Sequence, residues 1–244
     1  MQTRRSNNEA GFSLIELIIA MTITITVMGL ASSILAGAFN VRSREDRKSD
    51  AIADVQRAMN IMTREISNAG LKLPSGLPNV SSNGIVSNDS DSQSLRVVSN
   101  LNGLPDSANA YFEDSDVTDM DEDLKFLMYV DADLGQRYLV RYEKNATNTT
   151  TVLANRIDSL VFRYYDEKVT YDTTIDGSGN CDITNVKNAA GDDESEVSPG
   201  EAKFIVIAVA VTLPAVGKQG VEGYQPASQV QLTSDVVLRN SIVY

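Results

Sequence analysis

The side chain that most demands a chemical reason is Glu16. It is the only ionisable group between Phe12 and Val41, inside the run GFSLIELIIAMTITITVMGLASSILAGAF (11–39). A bilayer core of about 30 Å needs roughly 20 apolar residues in helix, so this run is long enough to span one. A carboxylate at the centre of such a span costs about 2.5 kcal/mol or more on insertion scales, and less near the edge. An acid in that setting calls for a positive partner.

Other chemistry-bearing residues are sparse. The 244-residue chain has no histidine, which removes the usual imidazole base, the Ser/His and Cys/His pairings and the commonest zinc ligand. Cys181 is the single cysteine, so no internal disulfide can form, and its place in a polar stretch predicts an exposed thiol. The pair Asp192 and Asp193 could serve acid/base work, but no nucleophile, metal motif or phosphate-binding glycine loop accompanies it. Asp172, Asp176 and Gly177 match only part of a calcium loop: Thr174 stands where an Asp or Asn belongs, and Ile183 where the bidentate Glu should be. No catalytic residue, metal ligand or cofactor is therefore assigned.

The charge is unevenly spread. The chain carries −12 in all, and residues 71–244 hold thirteen basic and twenty-six acidic side chains. So acidic a module repels phosphate backbones, which argues against nucleic-acid binding by its bulk surface.

The elements that position Glu16 follow from hydropathy. TITITV (22–27) alternates with period two and is rich in β-branched residues, the pattern of a strand in a soluble protein. In lipid the expectation reverses, because a helix satisfies its own backbone and a threonine hydroxyl can bond back to a carbonyl one turn earlier. A cleaved secretory signal would have a shorter apolar core, and a plain anchor would leave Glu16 unexplained. Arg4 and Arg5 favour a cytoplasmic N-terminus, although Arg42, Arg44, Arg47 and Lys48 beyond the span blur that rule.

The motif G-F-S-L-I-E, filled by Gly11, Phe12, Ser13, Leu14, Ile15 and Glu16, resembles the class III signal of type IV pilins and type II secretion pseudopilins. The resemblance implies that a prepilin peptidase cuts between Gly11 and Phe12 and methylates the new amine of Phe12. It also implies that Glu16 meets the ammonium of a neighbouring subunit, so that two ions costly apart become tolerable as a pair. Many major pilins have a helix-bending proline in the apolar half, where this chain has Ser32, Ser33, Gly29 and Gly37 instead.

Past Val41 no proline or glycine occurs until Gly70. Ile52, Val55, Met59, Met62, Ile66 and Ala69 form one helical stripe, with Asp50, Asp54, Arg57 and Arg64 on the opposite face. The pattern predicts a continuous helix over 12–69, about 87 Å at ~1.5 Å per residue. Its second half is expected to pack on a sheet rather than form a free coiled coil, which about three heptads would support poorly. Asn68, Gly70 and Pro74 form the stop signal.

The remainder reads as strands: 94–99, 124–130, 137–143, 150–157, 159–166, 204–213 and 229–240, with turn chemistry in DADLGQ (131–136) and KNATNTT (144–150). An antiparallel meander is expected, with 116–125 and 174–201 as acidic loops. AMNIMTREISNAG (58–70), LANRIDSLVFRYYDE (153–167), AVAVTL (208–213) and SDVVLRN (234–240) resemble PilW-type minor pilins, relatives of the J-type minor pseudopilins.

The expected class is thus α+β with a type IV pilin fold. The expected parts are a leader (1–11), an apolar half-helix (12–41), an amphipathic half-helix (42–70) and an acidic β-rich head (71–244). What the resemblance implies is a minor pilin held in the inner membrane with its head in the periplasm. It would then join other minor pilins and the major pilin to prime a pilus, at or near the tip. A J-type pseudopilin of type II secretion, or a tip adhesin binding through 174–201, are the alternatives.

Overall fold

The computed structural model describes residues 12–74, 76–101, 116–146, 149–221 and 224–241. One long helix, α1 (Leu14–Ser67), holds 54 residues and runs unbroken across Gly29 and Gly37. The alternating TITITV segment lies within it. Thr22 Oγ1 donates to the Ile18 carbonyl at 2.9 Å, Thr24 to Ala20 at 2.7 Å and Thr26 to Thr22 at 2.8 Å. Each hydroxyl is satisfied by its own helix, which lets a period-two pattern adopt a 3.6-residue repeat.

The chain divides into two compact units, Met1–Asp46 with Ala215–Pro226, and Arg47–Pro214 with Ala227–Tyr244. In the first unit the apolar run is uncovered, and Arg44 Nη1 donates to Gln225 Oε1 at 3.2 Å.

Among the described residues the second unit contains nine strands. Sheet A is the meander β1 (Ser94–Val98), β2 (Asp123–Val130), β3 (Arg137–Glu143) and β4 (Thr149–Asn155). Sheet B has the order β5 (Ser159–Tyr165), β8 (Phe204–Leu213) and β9 (Ser228–Val237), all antiparallel. Between β5 and β8 the chain makes a separate hairpin, β6 (Thr170–Ile175) and β7 (Cys181–Lys187). Of the seven expected strands, the first four form one antiparallel meander and the last three, β5, β8 and β9, pair antiparallel in the expected order. The single meander is broken between β4 and β5, which lie in different sheets, and the β6–β7 hairpin is an addition to it.

The hairpin corrects two expectations. Half of the supposed loop 174–201 is strand and tip, and Cys181 is buried at 5% exposure instead of being solvent-accessible. The physical reason is β8. Its even positions Phe204, Val206, Ala208 and Ala210 form a second core with Tyr165, Val169, Cys181 and Ile183. Its odd positions Ile205, Ile207, Val209 and Val211 face the main core. A strand apolar on both faces needs two covers, and the hairpin is one of them.

The main core is built on the helix stripe. Val55, Ala58, Met59, Met62, Ile66 and Ala69 pack with Leu95, Phe126 and Leu139 of sheet A and with Leu160, Phe162 and Ile207 of sheet B. Ile52, expected in this stripe, is only half-buried. At the rim Arg141 Nε donates to Glu65 Oε2 at 2.9 Å, tying helix to sheet A. Arg141 also bonds Asp121 and lies 3.7 Å from Glu143 Oε2. The Glu143 side chain is 1% exposed, and burial raises its pKa above the usual value despite bonds from the Asp121 and Asn145 amides and the nearby guanidinium.

The helix ends where the sequence says it should. Gly70 has φ +79, and the amides of Asn68 and Ala69 bond back three residues to Glu65 and Ile66, tightening the last turn. Asn240 Nδ2 donates to the Ala69 carbonyl at 3.0 Å, capping from the far end of the chain. Gly84 (φ +82) presses on this turn so closely that an added Cβ would lie 1.9 Å from the Gly70 nitrogen.

Candidate functional site

The candidate site is the start of α1. Phe12 and Ser13 precede the first helical residue, Leu14, and the Ser13 carbonyl accepts the amides of Glu16 at 3.0 Å and Leu17 at 3.2 Å. Ser13 thus holds the N-cap position and Glu16 the third helical position, the S-x-x-E spacing of a capping box. Sequence reasoning took Ser13 only as part of the motif and missed this capping spacing, although the signal stood in the sequence. An acid in the first turn also meets the positive end of the helix dipole.

Gly11, where the leader junction is expected, lies outside the described residues. Phe12 and Glu16 are placed together, one helical turn apart on the same exposed stretch, with Phe12 86% exposed. Every residue from Phe12 to Ala36 is exposed, including Leu14, Ile18, Ile25, Leu30 and Ile34. Among the described residues the Glu16 carboxylate has no ion-pair or hydrogen-bond partner. The site is therefore an apolar cylinder with one acid near its tip, and nothing in the described chain shields either. Among the described residues this is the one helix long and apolar enough to cross a membrane.

A family model described as the prokaryotic N-terminal methylation motif matches residues 6–32. That motif indicates a type IV pilin-like or pseudopilin precursor. No curated protein and no solved structure matches the chain. The matched stretch covers the leader junction and most of the apolar run but none of the head, and it does not separate PilW-type from J-type chains. Together with the apolar helix, the prepilin motif is consistent with a protein anchored in the inner membrane and later assembled into pili. It implies processing by prepilin peptidase and assembly with other pilins.

The acidic candidates elsewhere have local work. Asp176 Oδ1 accepts the amides of Ser178 and Asn180, each at 2.8 Å, and closes the β6–β7 tip. The Asn180 side-chain amide, which donates to Asp176 Oδ2 at 3.0 Å, together with those backbone bonds holds the Asp176 carboxyl below its usual range. Asp172 Oδ2 takes the Asn185 amide at 2.7 Å across the hairpin. The Asp192 backbone amide donates to Asn188 Oδ1 at 3.0 Å in the next turn, and the Asp193 backbone pairs with that of Lys187 in an isolated antiparallel β-bridge. Among the described residues no three acidic, cysteine or histidine side chains are grouped to hold a metal ion.

Proposed function

We propose that this chain is a minor pilin precursor, cut between Gly11 and Phe12, methylated on the Phe12 amine, and docked through Glu16 into a growing type IV pilus. What carries the reading is the carboxylate without a partner among the described residues, one turn from the expected new N-terminus, on a helix whose apolar run is exposed from Phe12 to Ala36. In the bilayer both features are unfavourable. Stacked beside a sibling helix, the apolar surface is covered and the acid meets an ammonium. Assembly is then the relief of two local costs.

Its role is structural and not enzymatic. In this reading the protein joins its sibling minor pilins, primes polymerisation and stays at or near the tip. A J-type pseudopilin shares every N-terminal feature and is the second reading.

Glu16→Ala tests the docking role in the native host. Mature protein should accumulate in the inner membrane with a normal N-terminus, while its recovery in sheared filaments falls by about tenfold or more, the scale expected for losing one buried charge pair. Normal recovery of the variant in filaments would sink the docking role. Mass spectrometry of filament-bound protein should find N-methylated phenylalanine first; a chain beginning at Met1 would overturn the processing step.

A further inference from the structure

β9 is an edge strand of sheet B with nothing paired to its outer side among the described residues. The Leu238 amide donates to the Lys203 carbonyl at 2.9 Å, extending the β8–β9 register in which Phe204 faces Val237. In an antiparallel ladder the bonded pairs recur every second residue. Ser228, Val230, Leu232, Ser234 and Val236 therefore turn their backbone groups toward β8. Gln229, Gln231, Thr233, Asp235 and Val237 turn theirs outward. Natural edges of this length are blunted by proline, lysine or a bulge, and β9 has none; its only charge is Asp235, whose carboxylate accepts the Tyr171 hydroxyl from the hairpin.

Along the same edge runs an open groove of about 520 Å³, walled by Asn60, Thr63, Arg64 and Ser67 of α1 and by Asp235, Val237 and Arg239. Val237 is 44% exposed there. Arg64 and Arg239 are exposed cations, on α1 and on a head (71–244) in which acids outnumber bases two to one. Arg64 has only a loose neighbour in Glu65 at 3.7 Å, and its side chain is 74% exposed.

We infer that β9 accepts an extended, acidic segment of a partner protein, which adds a strand to sheet B and sets a carboxylate against Arg64 and Arg239. Backbone groups at the five outward positions supply affinity and the arginine pair supplies selection, as in other strand-addition sites. The helix wall is polar, so side chains on that face of the added strand are small or acidic. This inference does not depend on how the N-terminus is processed.

Hydrogen exchange on the full chain in detergent tests it, using a short peptide of alternating threonine and valine with one central aspartate, and its lysine counterpart. The aspartate peptide should slow exchange at the five outward amides by about tenfold or more. The lysine peptide should bind about tenfold more weakly. Thr233→Pro removes one outward donor and should abolish protection, while the inward amides of Leu232 and Ser234 stay slow and report an intact sheet. Arg64→Gln with Arg239→Gln should equalise the two peptides without touching the edge. No protection by the aspartate peptide, or equal binding of both peptides to the unmodified protein, overturns the inference. Protection that rises with protein concentration in the absence of peptide would also overturn it, assigning the edge to a second copy of the chain.

Discussion

Gly84 is held to its identity by the backbone that surrounds it. Gly84 combines φ +82 with an approach to Gly70 that leaves no room for a methyl group. Gly84→Ala should lower unfolding stability by about 3 kcal/mol or more, since strain at positive φ adds to the clash. Gly177→Ala, at a position with open space, should change it by less than about 0.5 kcal/mol; thermal melts of both variants in detergent give the comparison. Asp89 supplies a pH handle. Its burial opposes the charge, but hydrogen bonds and attraction from Lys125 and Arg96 prevail and bring its pKa below 3.8. A lowered carboxyl stabilises the fold above its unfolded value, and that contribution is lost as pH falls from 3.8 through the lower folded value. The melting temperature of the parent should therefore drop more between pH 5 and pH 2 than that of Asp89→Asn. Parallel slopes would remove Asp89 from the acid response.

At the scale of elements, α1 behaves as two helices in one. The apolar half is exposed from Phe12 to Ala36 and contributes nothing to the main core. The half from Val55 to Ala69 is the spine of the main core. Arg141 clamps that spine to sheet A through Glu65, with Glu143 buried beside it. Arg141→Met would leave three acids, Glu65, Asp121 and Glu143, facing an apolar side chain and should cost about 3–5 kcal/mol near neutral pH. The sign of its pH dependence follows from Glu143. A carboxyl raised above 4.5 by burial is most compatible with the fold when protonated, and it rises further once the cation is gone. The stability of the variant should thus fall more steeply than the parent's as pH climbs from 4.5 through the raised folded value, read from urea midpoints at stepped pH. The β6–β7 hairpin makes a second element-level prediction. Burial pushes the Cys181 thiol up, with Asp158 and Asp176 adding to the shift against a bond from Ser159. Maleimide labelling of Cys181 should be slow in the native protein and complete after unfolding; fast native labelling would mean that the hairpin does not cover β8.

For the molecule as a whole, two different solvents set the design: an acidic, water-facing β head and an apolar helix that water cannot hold. Both were legible in the residues. The 3, 4, 3, 4, 3 spacing from Ile52 to Ala69 marked the buried stripe, and β3 and β8 began and ended where their patterns did, at Arg137–Glu143 and Phe204–Leu213. The helical state of TITITV was legible only because hydrocarbon penalises an open strand more than a β-branched helix. β6 and β7 were not legible. TYDTTI and CDITNVK are polar enough to read as loop, and their inward side chains Cys181 and Ile183 find an apolar partner only in the even face of β8, distant in sequence. In the same way the division of nine strands into two sheets and a hairpin, and the free edge of β9, depend on which distant segments meet. Local chemistry, which acts within a turn or a pleat, was thus settled by the order of residues alone: the motif at Gly11 to Glu16, the length of the helix, its stop at Gly70. Pairing across the chain was decided by tertiary structure, because burial of one strand's second face is a property of what lands on it and is written in neither segment by itself.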